Sequence, residues 1–144
     1  MNNRPVFRNP DKFQVLLFRD YLRKHLPGGR EGCVIEDLDL IIRLYGKQFN
    51  TDDDGKFYLF ELKFGNARIG IAQQKTFGLI HRLLRMADPR RERYLGYYVI
   101  NYDNEDWEYA NFSVNGVKLS REEFLNFLQN KNVGEKGTIP NLTI

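Results

Sequence analysis

The stretch Phe57-Tyr58-Leu59-Phe60-Glu61-Leu62-Lys63-Phe64 (FYLFELKF, residues 57–64) decides how this chain folds. Successive side chains of a β-strand point to opposite faces. Read as a strand, Phe57, Leu59, Glu61 and Lys63 share one face, and Tyr58, Phe60, Leu62 and Phe64 share the other. Both faces are apolar up to residue 61, as in a central strand covered on both sides. Burying an unpaired carboxylate or ammonium costs several kcal/mol. Folding alone would therefore favour Val or Ile at 61 and 63, and charges there need partners or a function.

The neighbouring segments fall into place around this strand. Upstream, CVIEDLDLIIRLYG (33–46) is strand-like: Leu38, Leu40, Ile42 and Leu44 alternate with Asp37, Asp39, Ile41 and Arg43. KQFNTDDDGK (47–56) reads as the turn of an antiparallel hairpin, with Asp54-Gly55 its strongest signal. Residues 1–10 form a polar arm, and Asn9 or Asp11 beside Pro10 can cap a helix running to about His25. Phe13, Leu16, Leu17 and Tyr21 line that helix, and Pro27-Gly28-Gly29 stops it. Downstream, Gly65-Asn66 ends the strand, and ARIGIAQQKTFGLIHRLLRM (67–86) is a helix. Ala72, Leu79, Leu83 and Met86 lie along one side, with Phe77, Ile80 and Leu84 extending the apolar stripe. ADPRRERY (87–94) is a basic connection, YLGYYVINYD (94–103) a third strand, and WEYANFSVNGVKL (107–119) a fourth ending in the Asn115-Gly116 turn. Ser120 with Glu123 makes a capping box for a last helix over 121–130, and the tail from Val133 to Ile144 has no clear period. The expectation is one α/β domain over 1–144, a mixed central sheet flanked by helices.

Composition narrows the chemistry. The 144 residues are 42% hydrophobic, with eleven Phe and eight Tyr, which fits a folded domain. A net charge of +3 and a pI of 9.0 are compatible with a polyanionic partner without requiring one. One Cys (Cys33) permits no internal disulfide and no Cys-based zinc site, and His25 and His81 make no His-rich one. A metal would be held mainly by carboxylates, the donor set of Mg²⁺. The opening MNNRPVFRNPDK has no apolar core of a signal peptide, and no apolar run approaches the ~20 residues of a membrane span. A cytoplasmic setting away from membranes is expected.

Hairpin pairing can set Asp39 beside Glu61. Two carboxylates on adjacent strands repel unless a cation lies between them. Asp39, Glu61 and the backbone carbonyl of Leu62 would offer three oxygen ligands to a water-retaining Mg²⁺. Lys63, one strand period on, could steady a water or the charge developing on a phosphate. The plainer alternative is a Glu61–Lys63 salt bridge at a wet strand end, with Asp37 and Asp39 on a solvated hairpin face.

With these residues set out, Asp39 … Glu61-Leu62-Lys63 resembles the D…(D/E)xK signature of the PD-(D/E)xK nucleases, the restriction-endonuclease-like superfamily. The order helix, Asp-bearing hairpin, ExK strand, helix, strand matches as well, over about residues 11–101, with 102–130 as an added strand and helix and 131–144 as a tail. Several branches carry a Gln on the helix after ExK. Gln73 shares a face with Phe77, Ile80 and Leu84, and Gln74 with Gly78, His81 and Arg85; Gln74 is preferred because its face is polar and leads to basic groups. Two features depart from the pattern. Leu38, not Pro, precedes Asp39, and the first helix offers no Glu between 11 and 25, with Glu36 as a substitute pointing to the other face in strict alternation.

The resemblance implies a Mg²⁺-dependent DNA endonuclease, with Mn²⁺ as a substitute metal. Asp39 and Glu61 would hold the metal, Lys63 would stabilise charge, and Gln74 would orient Lys63, the water or the phosphate. Lys75, Arg82, Arg85, Arg90, Arg91 and Arg93 are the expected nucleic-acid contacts, and Tyr97, Tyr98, Tyr102, Trp107 and Tyr109 are candidates to stack on bases. One site per chain cuts one strand, so duplex cleavage implies a homodimer or higher homo-oligomer. The small size leans towards a phage or mobile-element enzyme of homing or junction-resolving type, with RNA left open as a substrate. The alternative is a catalytically inactive DNA- or protein-binding module of the same fold.

Overall fold

The computed structural model describes residues 13–34, 36–131 and 139. The polar arm and its helix cap lie outside the described residues, as does nearly all of the C-terminal tail. The chain divides into two compact units, Met1–Ile35 and Glu36–Ile144.

In the first unit, helix α1 spans Phe13–His25 and ends where Pro27-Gly28-Gly29 predicts. Its last turn carries Arg23, Lys24 and His25, cations suited to the negative end of the helix dipole. A short 3₁₀ turn, Gly29–Glu31, follows.

The second unit is a five-stranded mixed sheet with two helices, so the described chain as a whole is mixed α/β with three helices. Its elements are β1 (Leu40–Leu44), β2 (Lys56–Phe64), α2 (Ile71–Ala87), β3 (Tyr94–Tyr102), β4 (Phe112–Val114), β5 (Val117–Leu119) and α3 (Arg121–Leu128). The spatial order is β1-β2-β3-β4-β5. β1 and β2 pair antiparallel, with Leu40 opposite Phe60. β2 and β3 pair in parallel, with Glu61 opposite Val99 and Lys63 opposite Asn101. A parallel pair needs a long crossover, which α2 supplies. Among the described residues no helix is long and apolar enough to cross a membrane.

β2 is the central strand its pattern predicts. Tyr58 and Phe60 pack with Tyr98, Ile100, Phe112, Val114, Phe124 and Phe127, a core closed by α3. Leu59, on the opposite face, packs with Ile69, Phe77, Tyr94, Tyr97 and Val99, a core closed by α2. The strands β1 and β4 differ from expectation in length. β1 begins only at Leu40, because 36–39 form no ladder. The single strand expected over 107–119 is a 3₁₀ turn followed by the β4–β5 hairpin. Its Asn115-Gly116 turn has both residues at positive φ (48° and 82°), the geometry of a tight hairpin turn. The β1–β2 connection is longer than a two-residue turn. Gly55 ends it at φ 79°, where a Cβ would stand 2.2 Å from the Leu44 carbonyl oxygen. Asp52 Oδ1 accepts the Gly55 N–H at 3.0 Å, and Arg93 clamps Asp52 bidentately at 2.5 and 2.6 Å. The capping box of α3 forms as expected: Ser120 Oγ accepts the Glu123 N–H and Glu123 Oε1 accepts the Ser120 N–H.

Helix α2 turns a different face to the sheet from the one its longest apolar stripe indicates. Phe77, Gly78 and His81 are buried, whereas Leu79 (52% exposed), Leu83 (56%) and Met86 (77%) face solvent and Ile80 is also exposed. The helix has two apolar stripes, and periodicity cannot say which one is inside. Phe77 lies against Tyr97, ring centroids 5.3 Å apart and nearly parallel, and His81 bonds Tyr94, so the tyrosines of β3 select the face.

Candidate active site

The two carboxylates meet at the end of the β1–β2 ladder. Asp39 stands one residue before β1, so the register that pairs Leu40 with Phe60 carries it opposite Glu61. Its Oδ2 accepts the backbone N–H of Leu62 at 2.8 Å. The contact of Leu62 with Asp39 thus runs through the amide N–H. Glu61 is 3% exposed, while Asp39 is open to solvent.

Helix α2 brings Gln73 over this pair. Gln73 Nε2 donates to Glu61 Oε1 at 3.1 Å, and Gln73 Oε1 accepts from Lys63 Nζ at 3.1 Å. The Lys63 ammonium is also 3.6 Å from Glu61 Oε1. Gln73 Oε1 further accepts the Gly70 N–H at 3.3 Å, satisfying a free donor at the start of the helix. These contacts fix the amide orientation, since the reverse would set Oε1 against a carboxylate and Nε2 against an ammonium. Gln73, not Gln74, is the residue that reaches the Glu61–Lys63 pair. Gln74 is exposed in the first turn of α2. The reason is the helix rotation: Gln73 shares the side of Phe77 and Leu84, which pack on the α2 core.

The second oxygen of Glu61 is the anomaly. Glu61 Oε2 is buried without a hydrogen-bond partner among the described residues. Burial first, and then the charge of Asp39 and a hydrogen bond to it that the protonated form can make, push the Glu61 carboxyl up to about 7 against the opposing pull of Lys63 and Gln73. A second orphan lies on the same face of the sheet. Tyr97 is fully buried, and its hydroxyl has no partner among the described residues. Burial pushes the pKa of the Tyr97 hydroxyl up first, and then the charges of Glu61, Asp39 and Glu36 do so too. Glu36 therefore belongs to the same electrostatic neighbourhood, because 36–39 are not a ladder strand and strict alternation does not govern them. Among the described residues no three metal-ligating side chains cluster closely enough to hold an ion by themselves. A metal here would draw on the Asp39–Glu61 pair, completed by backbone or water, with the orphaned Glu61 Oε2 as the free donor atom.

Two residues at this site carry no signal in the sequence read alone. Tyr97 reads as core or as a base-stacking aromatic, yet it and Tyr98 are both buried and cannot stack on a nucleic acid. Tyr102 stacks on Trp107 instead, leaving Tyr109 as the aromatic most open to solvent. Asn101, opposite Lys63, donates to the carbonyls of Gly65 and Ala67 at 3.0 and 2.9 Å and pins the loop that follows Lys63. The periodicity of β3 does not reveal this bond, which exists only in the parallel register.

The expected cationic contacts separate into three groups. Lys75 and Arg82 lie exposed on the outer side of α2. Arg85 is half-buried at the end of that helix, with Arg90 and Arg91 exposed in the loop beyond. Arg93 is spent on Asp52 and the Gly55 carbonyl, so it braces the hairpin. No protein-family model, no curated protein and no solved structure matches the chain.

Proposed function

We propose that the chain is a Mg²⁺-dependent endonuclease of the PD-(D/E)xK, restriction-endonuclease-like type, acting on the phosphodiester bonds of DNA. The observation that carries this reading is the constellation of Asp39, Glu61, Lys63 and Gln73 around a buried carboxylate oxygen that has no hydrogen-bond partner among the described residues. Folding gains nothing from such an oxygen, and a cation is the natural occupant. Asp39 and Glu61 would hold Mg²⁺, or Mn²⁺ in its place. A bound metal supplies Lewis acidity and a water of lowered pKa. Lys63, held by Gln73, places a positive charge where a phosphate would gain negative charge during hydrolysis. Gln73 bonds both members of the Lys63–Glu61 ion pair, whose charged atoms stand 3.6 Å apart. Lys75, Arg82, Arg85, Arg90 and Arg91 provide sequence-independent phosphate affinity. Duplex cleavage by this single site per chain calls for a homodimer or higher homo-oligomer.

The second reading is a catalytically inactive binding module of the same fold. It is favoured by the short donor set, with one oxygen of Asp39 held by Leu62 and one of Glu61 by Gln73. Nicking of supercoiled plasmid, with branched and single-stranded DNA beside it, separates the two. The enzyme reading expects cleavage with Mg²⁺, none with EDTA, and none in Glu61→Ala or Lys63→Ala. Survival of all substrates, with no Asp39-dependent metal binding by calorimetry, leaves the binding module.

A further inference from the structure

The far end of α2 carries an electrostatic imbalance. Arg85 Nη1 is buried with no acceptor among the described residues. Three guanidinium groups, Arg85, Arg91 and Arg82, act on His81, whose pKa is lowered by burial first and then by these charges. Among the described residues none of the three forms an ion pair. Asp88 feels the Arg85 charge without forming an ion pair with it. Asp88 accepts the N–H groups of Glu92, Arg93 and Tyr94 at 3.0, 2.8 and 2.7 Å, and Asp52 is held by Arg93. The same Asp88 bonds fix the loop that presents Arg91 at φ 55°.

A buried guanidinium N–H without an acceptor is costly, and oxyanions with several acceptor oxygens match its fork. The geometry points to a phosphate-binding subsite formed by Arg85 with Arg91 and Arg82 at the C-terminal end of α2, taking a backbone phosphate of a bound nucleic acid. The nucleic-acid source of that phosphate rests on the nuclease reading above. Twelve residues of helix separate Gln73 from Arg85, about 18 Å at 1.5 Å per residue. That equals about five base-pair steps of one strand. A strand along α2 would thus meet the Lys63–Gln73 site and the arginine subsite together, and a fragment shorter than that span would reach only one.

The test is binding without metal. Fluorescence anisotropy in EDTA compares labelled DNA hairpins with stems of about 4 and about 16 base pairs, chosen below and above that span, on wild type, Arg85→Gln, Arg85→Lys and Arg91→Gln. The expected result is about tenfold weaker binding of the long duplex by Arg85→Gln, a salt slope reduced by about one, and a loss for the short one as well, since without metal it can occupy only the arginine subsite. Arg85→Lys, which keeps the charge and loses the fork, should fall between; with Arg91→Gln it carries the test if Arg85→Gln does not fold. In parallel, inorganic phosphate should move the His81 ring resonances of wild type and leave those of Arg85→Gln unmoved. Folded variants that bind both duplexes like wild type overturn the subsite. Phosphate that moves His81 through Arg85 while duplex affinity is indifferent to Arg85 overturns the nucleic-acid assignment in favour of a small free anion. Because no metal is present, Arg85-dependent DNA binding in a protein that never nicks plasmid sinks the catalytic reading alone. Nicking that is accompanied by Arg85-independent binding sinks the subsite alone.

Discussion

Replacing Glu61 by Gln should stabilise the metal-free protein at alkaline pH while destroying metal binding. The carboxyl is raised from 4.5 to about 7, first by burial and then by Asp39. A raised acid means that the folded state holds its proton more tightly than the unfolded chain. Its ionisation therefore costs nothing below about pH 4.5, and the cost grows through the interval to pH 7 and is full above it. At 1.36 kcal/mol per pKa unit the full cost is about 3 kcal/mol. A neutral carboxamide avoids this cost, but it leaves a buried N–H in place of the orphaned Oε2. That loss takes back about 1 kcal/mol at either pH, while the attraction of Lys63 is already contained in the raised value. The expected effect is thus a gain of about 2 kcal/mol at pH 8 that turns into a loss of about 1 kcal/mol near pH 4.5. Urea unfolding in EDTA at the two pH values, with unchanged slopes, measures it. Mg²⁺ should raise the unfolding midpoint of wild type at pH 8 and leave Glu61→Gln unmoved. A variant less stable than wild type at pH 8, or equally shifted at both pH values, would refute the account of Glu61 as a carboxylate held at a cost for a cation.

Other perturbations probe separate parts of the argument. Gln73→Ala unties both Glu61 and Lys63 and should cost about 1 kcal/mol of stability and most of any nicking activity. Gln74→Ala should leave both within error, and the plasmid assay and a urea melt of each variant decide between the two glutamines. Gly55→Ala forces a Cβ onto the Leu44 carbonyl at positive φ and should destabilise by more than about 1 kcal/mol, read by urea unfolding. His81, buried and facing Arg85, Arg91 and Arg82, should titrate below 6.5 by NMR. Its lowered pKa makes the folded state bind fewer protons than the unfolded chain, so its contribution to stability is present above about pH 6.5 and falls away as the pH drops below that. This is opposite in sign to Glu61, and the Glu61→Gln background isolates it.

What could be read in the sequence, and what could not, follows from the range of the interactions involved. β2 was legible because both of its faces are apolar within eight residues, and Glu61 and Lys63 break that pattern locally. The proximity of Asp39 to Glu61 followed from hairpin pairing, the nearest kind of long-range contact. The inward face of α2 was not legible. Leu79, Leu83 and Met86 make as good a stripe as Phe77 and Leu84, and the choice rests on Tyr94 and Tyr97 one strand away. That rotation decides whether Gln73 or Gln74 reaches Lys63, so a site residue depended on a packing contact some twenty residues distant in the chain. The same holds for charge. Arg93 and Arg91 are two residues apart in one basic run, yet Asp52, from the β1–β2 loop, neutralises Arg93, while the charge of Arg91 acts on His81 together with that of half-buried Arg85. A cluster of arginines in sequence is only a supply of charge. Which of them remain available to a phosphate is set by the carboxylates that the fold delivers, and here the fold delivers them to one end of the run and not the other.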